Sequence, residues 1–182
     1  MRVIIGMLLI SITAGLTPVS AFSAEPALNE IGVRVGIQDG SRTGFFCSYE
    51  AFAARRLPWD WRASSGWGLV PQLTASLGLL EGGGDQGVSG SAGIAFVLDR
   101  NGPGVSTDFG LSTNLLNRRR FGSMDFGSTL QFVSHIGLNY RFDNGLKIGY
   151  RWQHMSNGHL VYSKDTPNPG LDMHLLGISY VF

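Results

Sequence analysis

Residues 130–156 read LQFVSHIGLNYRFDNGLKIGYRWQHMS, and this stretch decides the fold. In its first half Leu130, Phe132, Ile136, Leu138 and Tyr140 alternate with Gln131, His135, Asn139 and Arg141. In its second half Leu146, Ile148, Tyr150 and Trp152 alternate with Lys147, Gly149, Arg151 and Gln153. Side chains that change character at every second position belong to strands with one apolar and one polar face. Between the halves, Asp143-Asn144-Gly145 favours a tight reversal of the chain. The stretch therefore predicts an antiparallel hairpin.

The same period runs through the rest of the chain after residue 30, in eight segments altogether. Ile31, Val33, Val35 and Ile37 oppose Gly32, Arg34, Gly36 and Gln38, and a less regular run follows near Phe45 to Ala54. Further runs cover Trp67 to Leu80, Val88 to Leu98, Val105 to Leu115 and Leu171 to Phe182. Most are close to the ~9–11 residues a tilted strand needs to cross a bilayer. Alternation alone does not separate a sandwich from a barrel. Hydrophobic residues make up 43% of the chain and charged ones 15%, a poor balance for a surface wholly in water. Phe142, Tyr150, Trp152 and Tyr180 fall near strand ends, as interfacial aromatic girdles do. Tyr180-Val181-Phe182, with apolar residues at alternate positions before it, resembles the assembly signal of outer-membrane barrels. The expectation is one all-β domain, an eight-stranded antiparallel transmembrane β-barrel whose lumen is filled by polar side chains and is not a pore.

Arg2, the apolar run Val3 to Ile10 and the small residues up to Ala24 predict a secretory signal peptide over residues 1–24, cleaved after Ala21 or Ala24, with the barrel over 25–182. The location expected is the outer membrane of a Gram-negative bacterium. With both termini in the periplasm, turns below are expected to be short and loops above longer. Residues 157–170 would then lie at the outer leaflet, where lipopolysaccharide is, and Gly82-Gly83-Gly84 would form another outer loop. The formal net charge is +1, which gives no support to a nucleic-acid partner. Arg118-Arg119-Arg120 reads either as a solvated loop or as a contact to anionic headgroups. The single cysteine, Cys47, is expected to face lipid or be buried. No zinc-type Cys/His spacing and no phosphate loop occurs, so neither a metal nor another cofactor is expected. The oligomeric state, a homodimer included, stays open.

Parity carries the chemistry. His154 and Ser156 continue the apolar face of their strand, and Asp172 and His174 continue the face of Leu176, Ile178 and Tyr180. A hydroxyl, an imidazole and a carboxylate thus converge outside the barrel, the set in which a base activates serine and an acid orients the base. Pairing Leu146 with Phe182 puts Asp172 across from Ser156. A slip of two residues puts it across from His154 and changes no face. Asn157, Asn168 and amides near Gly158 are candidate donors for an oxyanion. His159 and His174 are rival bases, although neither stands two residues before a serine on the same face.

His154-Met155-Ser156-Asn157, followed by Pro167-Asn168-Pro169-Gly170-Leu171-Asp172 and a last short strand, resembles the lipid A 3-O-deacylases, the PagL family. The resemblance is strongest over residues 130–182. It implies Ser156 as nucleophile, His154 as base, Asn168 in the oxyanion hole and a contribution from Phe132, with lipid A as substrate and partner. The third member is usually Glu in that family, so Asp172 is one methylene shorter, and the loop from Gly158 to Pro167 is longer. Two other classes fit the barrel: a non-catalytic adhesin or structural anchor, and an esterase acting on phospholipid.

Overall fold

The structure, a computed structural model, describes residues 29–40, 45–159 and 162–182; the expected signal peptide lies outside them. Eight long strands follow one another: β1 Glu30–Gln38, β2 Phe46–Arg56, β3 Gly68–Gly82, β4 Asp85–Asp99, β5 Gly104–Leu116, β6 Leu130–Arg141, β7 Leu146–Ser156 and β8 Leu171–Val181. Each pairs antiparallel with its sequence neighbour, and β1 pairs with β8, which closes the sheet. Closure leaves no long edge exposed, the condition under which a sheet can sit in lipid.

The alternation read from the sequence sets the two faces. Val33, Leu77, Leu111, Leu138 and Leu176 all point outward and are exposed, forming an apolar belt around the barrel. Cys47 belongs to the outward set of β2 and is half-buried. Inside, charge is matched pairwise. Asp108 accepts hydrogen bonds from Asn139 Nδ2 at 2.7 Å and Arg151 Nη2 at 3.1 Å, with His135 Nε2 3.0 Å away. Glu30 accepts from Lys147 Nζ at 2.5 Å and Ser179 Oγ at 2.7 Å. Buried charges persist in a lumen only when compensated in this way.

The filling is not polar throughout, as the sequence expectation had it: at the site end an apolar cluster surrounds the buried Asn114 and Gln131. There Phe46, Leu80, Leu116, Met155, Leu171 and Met173 turn inward and meet Phe121, Met124 and Phe126 from the β5–β6 connection. That connection folds back as a two-residue ladder, Arg120 opposite Asp125 and Phe121 opposite Met124. Phe46, Phe121 and Phe126 pack edge to face with centroids 5.9 Å apart. Burying each aromatic contributes on the order of 2 kcal/mol, so this loop is a fixed plug under the site.

Loop lengths also depart from the simple rule of short below and long above. At the site end β3 and β4 are joined by Gly83 and Gly84 alone, with φ of 59° and 83°. Two successive left-handed residues match the twist of a hairpin, which is why a glycine pair stands there in place of a long loop. At the opposite end residues 57–67 make a longer excursion, anchored by Arg62, which donates to Asp99 Oδ1 at 2.9 Å and to Gly66 O at 2.9 Å.

Candidate active site

The site is built at the ends of β7 and β8. The register pairs Leu146 with Tyr180 and His154 with Asp172, so of the two alignments consistent with parity the chain adopts the one slipped by two. His154 and Asp172 face outward, and Nδ1 of the imidazole lies 2.7 Å from Oδ1 of the carboxylate. Both side chains remain substantially exposed, 39% and 44%. Ser156 occupies the same face of β7 one pleat further on. Met155 and Gln153 between and before them are buried, which fixes the alternation at this strand end.

Two ranks of side chains lead away from this cluster across the outer wall. Ser156, Phe132, Thr113 and Ala92 stand in one line of cross-strand partners, and His154, Ser134, Leu111 and Ile94 in the next. The small residues Ala92 and Gly93 and the bulkier Ile94, Leu111 and Phe132 shape an open, largely apolar trough with His154, Ser156 and Gly158 at its end. A trough of this lining suits a hydrocarbon chain held along the barrel wall. Phe132, expected only by resemblance, stands directly opposite Ser156. Ser134 and Thr113 were not singled out from sequence; their outward parity was legible, but their alignment with Ser156 and His154 depends on register.

The two asparagines take different places. Asn157 is fully buried; its Nδ2 donates to Pro167 O at 2.7 Å and Phe126 O at 3.1 Å, while its Oδ1 accepts from His159 N at 3.1 Å. Its side-chain donors are thus committed to holding the loop against the plug. Asn168 is half-buried and uses its Oδ1 to accept from Asn157 N at 3.0 Å, leaving Nδ2 without a partner among the described residues. Gly158, at φ 62°, turns the chain beside the trough. Gly170, at φ 69°, passes over the imidazole; a Cβ there would come within 3.1 Å of His154 Cε1.

Both rival histidines are engaged elsewhere. His159 places Nε2 3.0 Å from Thr166 O, bracing the loop. His174 contacts Tyr150 Oη through Nδ1 at 2.6 Å, and its Nε2 lies 3.4 Å from Asp39 Oδ2.

Comparison with known proteins gives a consistent picture. Residues 47–181 match the family described as PagL, lipid A 3-O-deacylase. The lipid A deacylase PagL of Bordetella bronchiseptica is 30% identical over 128 residues, 68% of this chain and 70% of that protein. The protein of the same name from Pseudomonas aeruginosa is 31% identical over 129 residues, 66% and 72% of the two chains. The crystal structure of the outer membrane enzyme PagL has the same fold, with a TM-score of 0.69 at 24% identity over 83% of this chain and 98% of that one.

Proposed function

The chain belongs to the lipid A 3-O-deacylase (PagL) family, and from that premise we propose that it is a serine esterase of the outer membrane that removes the 3-hydroxyacyl chain esterified at the 3-position of lipid A. Ser156 is the nucleophile, His154 the base and Asp172 the group that orients it. Residues 1–24 act as the export signal. The site faces the outer leaflet, where lipid A resides.

The observation that carries this reading is the 2.7 Å contact between His154 Nδ1 and Asp172 Oδ1 on the lipid side of the barrel, with Ser156 on the same face at the mouth of the trough. Ionisable groups on the lipid face cost stability, most at the midplane and least near the interface, where this cluster stands at the strand ends. With Nδ1 held by the carboxylate, the other ring nitrogen is free to take the proton of Ser156 Oγ as the oxygen attacks the ester carbonyl. Asn168 Nδ2 and the amide near Gly158 are the donors for the oxyanion. Collapse expels the sugar oxygen, which receives the proton from His154. Water activated by the same imidazole then releases the fatty acid and restores Ser156. Phe132 and the trough hold the departing chain, and Asn157 keeps Asn168 in place.

The test is lipid A mass spectrometry from a host expressing the protein. Wild type removes one 3-hydroxyacyl chain, and Ser156→Ala and His154→Ala give folded barrels that remove none. Unchanged deacylation by Ser156→Ala would refute the assignment. Release of fatty acid from phospholipid with lipid A left intact would move the substrate, and no release from either would leave a non-catalytic barrel.

A further inference from the structure

On the deacylase reading above, we infer that Arg119 and Arg120 form a binding site for a phosphate group on the sugar of the lipid substrate, holding the headgroup while the acyl chain lies in the trough. The run is a fixed platform, because Phe121, next in sequence, is fully buried among the plug aromatics and Met124 and Phe126 are buried behind it. The guanidinium-bearing side chains nonetheless remain open, 51% exposed at Arg119 and 67% at Arg120.

Their present partners are weak competitors. Asp125 takes Arg120 Nε at 2.8 Å and Arg119 Nε at 3.5 Å, so a single carboxylate serves two cations, and Arg118 is paired separately with Asp85 at 3.0 Å. The Arg120 hydrogen bond and the Gly127 N–H hold the Asp125 carboxyl below its usual range. Three arginines against the two carboxylates of Asp85 and Asp125 leave one positive charge. Exposed pairs of this kind add little stability, because water screens them. The planar donor fork of arginine suits a phosphate better than a single shared carboxylate oxygen.

Placement ties the cluster to the site. Arg119 lies six residues beyond Thr113, which shares a rank with Ser156, so it is within about 22 Å along the chain. Arg119 Nη1 also donates to Gly127 O at 3.5 Å, and Gly127 packs so closely on Pro167 that a Cβ there would sit 2.1 Å from its carbonyl oxygen. Pro167 directly precedes Asn168. The cluster sits in the connection between β5 and β6, the strands that carry Leu111, Thr113, Phe132 and Ser134, and Gly122 N donates to Asp85 Oδ2 at 2.7 Å beside the β3–β4 turn. Lipid A, a phosphorylated and acylated glucosamine disaccharide, presents anion and ester together.

The experiment measures KM for fatty-acid release by the full protein in detergent, using lipid A and the same lipid A stripped of its phosphates. For wild type, KM is expected to rise about tenfold on phosphate removal, the effect of one lost charge-assisted contact. The double variant Arg119→Gln/Arg120→Gln should show the raised KM already on phosphorylated substrate and no further rise without phosphate; Arg119→Lys/Arg120→Lys should restore part of the discrimination. A wild-type KM indifferent to phosphate, or a Gln variant that keeps the full phosphate effect, overturns the inference; the first needs no variant to fold. Failure of the deacylase reading looks different: wild type releases no chain from either substrate, and the inference falls with it.

Discussion

Gly170 stands against the ring of His154, with its α-carbon so placed that a methyl group built there would lie 3.1 Å from Cε1. Its φ of 69° adds a second constraint, since a residue with a β-carbon pays roughly 1–2 kcal/mol in that region. Gly170→Ala should therefore push the imidazole away from Ser156. The expected result is a fall in kcat of about tenfold or more with normal heat-modifiable mobility of the barrel on a gel. An unaltered kcat would mean that the ring has room to yield.

Asp172 meets His154 through one short contact, and on the proposed mechanism its effect should depend on charge more than on length. Asp172→Asn and Asp172→Ala should lower kcat by up to about 10⁴, the loss when the orienting acid of a triad is replaced by its amide. Asp172→Glu, the acid usual in the family, should stay within about tenfold of wild type, because both side chains are partly exposed and can adjust. Rates of fatty-acid release from lipid A decide this, and equal loss in the Glu and Ala variants would argue that the spacing of this carboxylate is critical.

Asn157 and Asn168 should separate by phenotype. Asn157→Ala removes the tether from Phe126 O, which keeps only the longer contact from Gln131 Nε2 at 3.4 Å, and from the exposed Pro167 O, a cost of about 1–3 kcal/mol in all. Limited proteolysis should then cut residues 157–170 faster than in wild type. Asn168→Ala should lose about 10²–10³ in kcat through the oxyanion, with a smaller change in proteolysis. If both variants are equally protease-sensitive, Asn168 acts as a loop brace and not as a donor.

Asp108 is the counter-charge for Arg151 and the near neighbour of His135 inside the barrel. Asp108→Ala strands a buried cation, and breaking such a pair costs about 3–5 kcal/mol. Urea titration of the refolded protein should show a lower midpoint, while Ser156 and His154, on the other face of the sheet, remain assembled. A midpoint equal to that of wild type would mean that water in the lumen compensates the charge.

Much of this molecule could be read from alternation. The eight strands, the sidedness of the regular runs and the outward placement of His154, Ser156 and Asp172 all follow from the two-residue period, because pleating sends neighbouring side chains to opposite faces whatever the strand pairs with; the second run, near Phe45 to Ala54, is too irregular to be read this way. The plug could not be read in this way. Phe121, Met124 and Phe126 belong to no periodic run, and their burial depends on a short ladder folding into the mouth of a barrel that other strands must first close. Nor could the commitment of Asn157, whose partners Phe126 and Pro167 are distant in sequence or set by the loop's path.

What the chain by itself determined is therefore the parity: which residues look at lipid and which look inward. What only the tertiary structure decided is the register, Leu146 opposite Tyr180 in place of Phe182, which brings Asp172 beside His154 and lines up Ser156 with Phe132, Thr113 and Ala92. A slip of two residues preserves every face, so the local pattern is the same for both alignments. The choice between them falls to closure of the whole cylinder, in which all eight staggers must be satisfied at once.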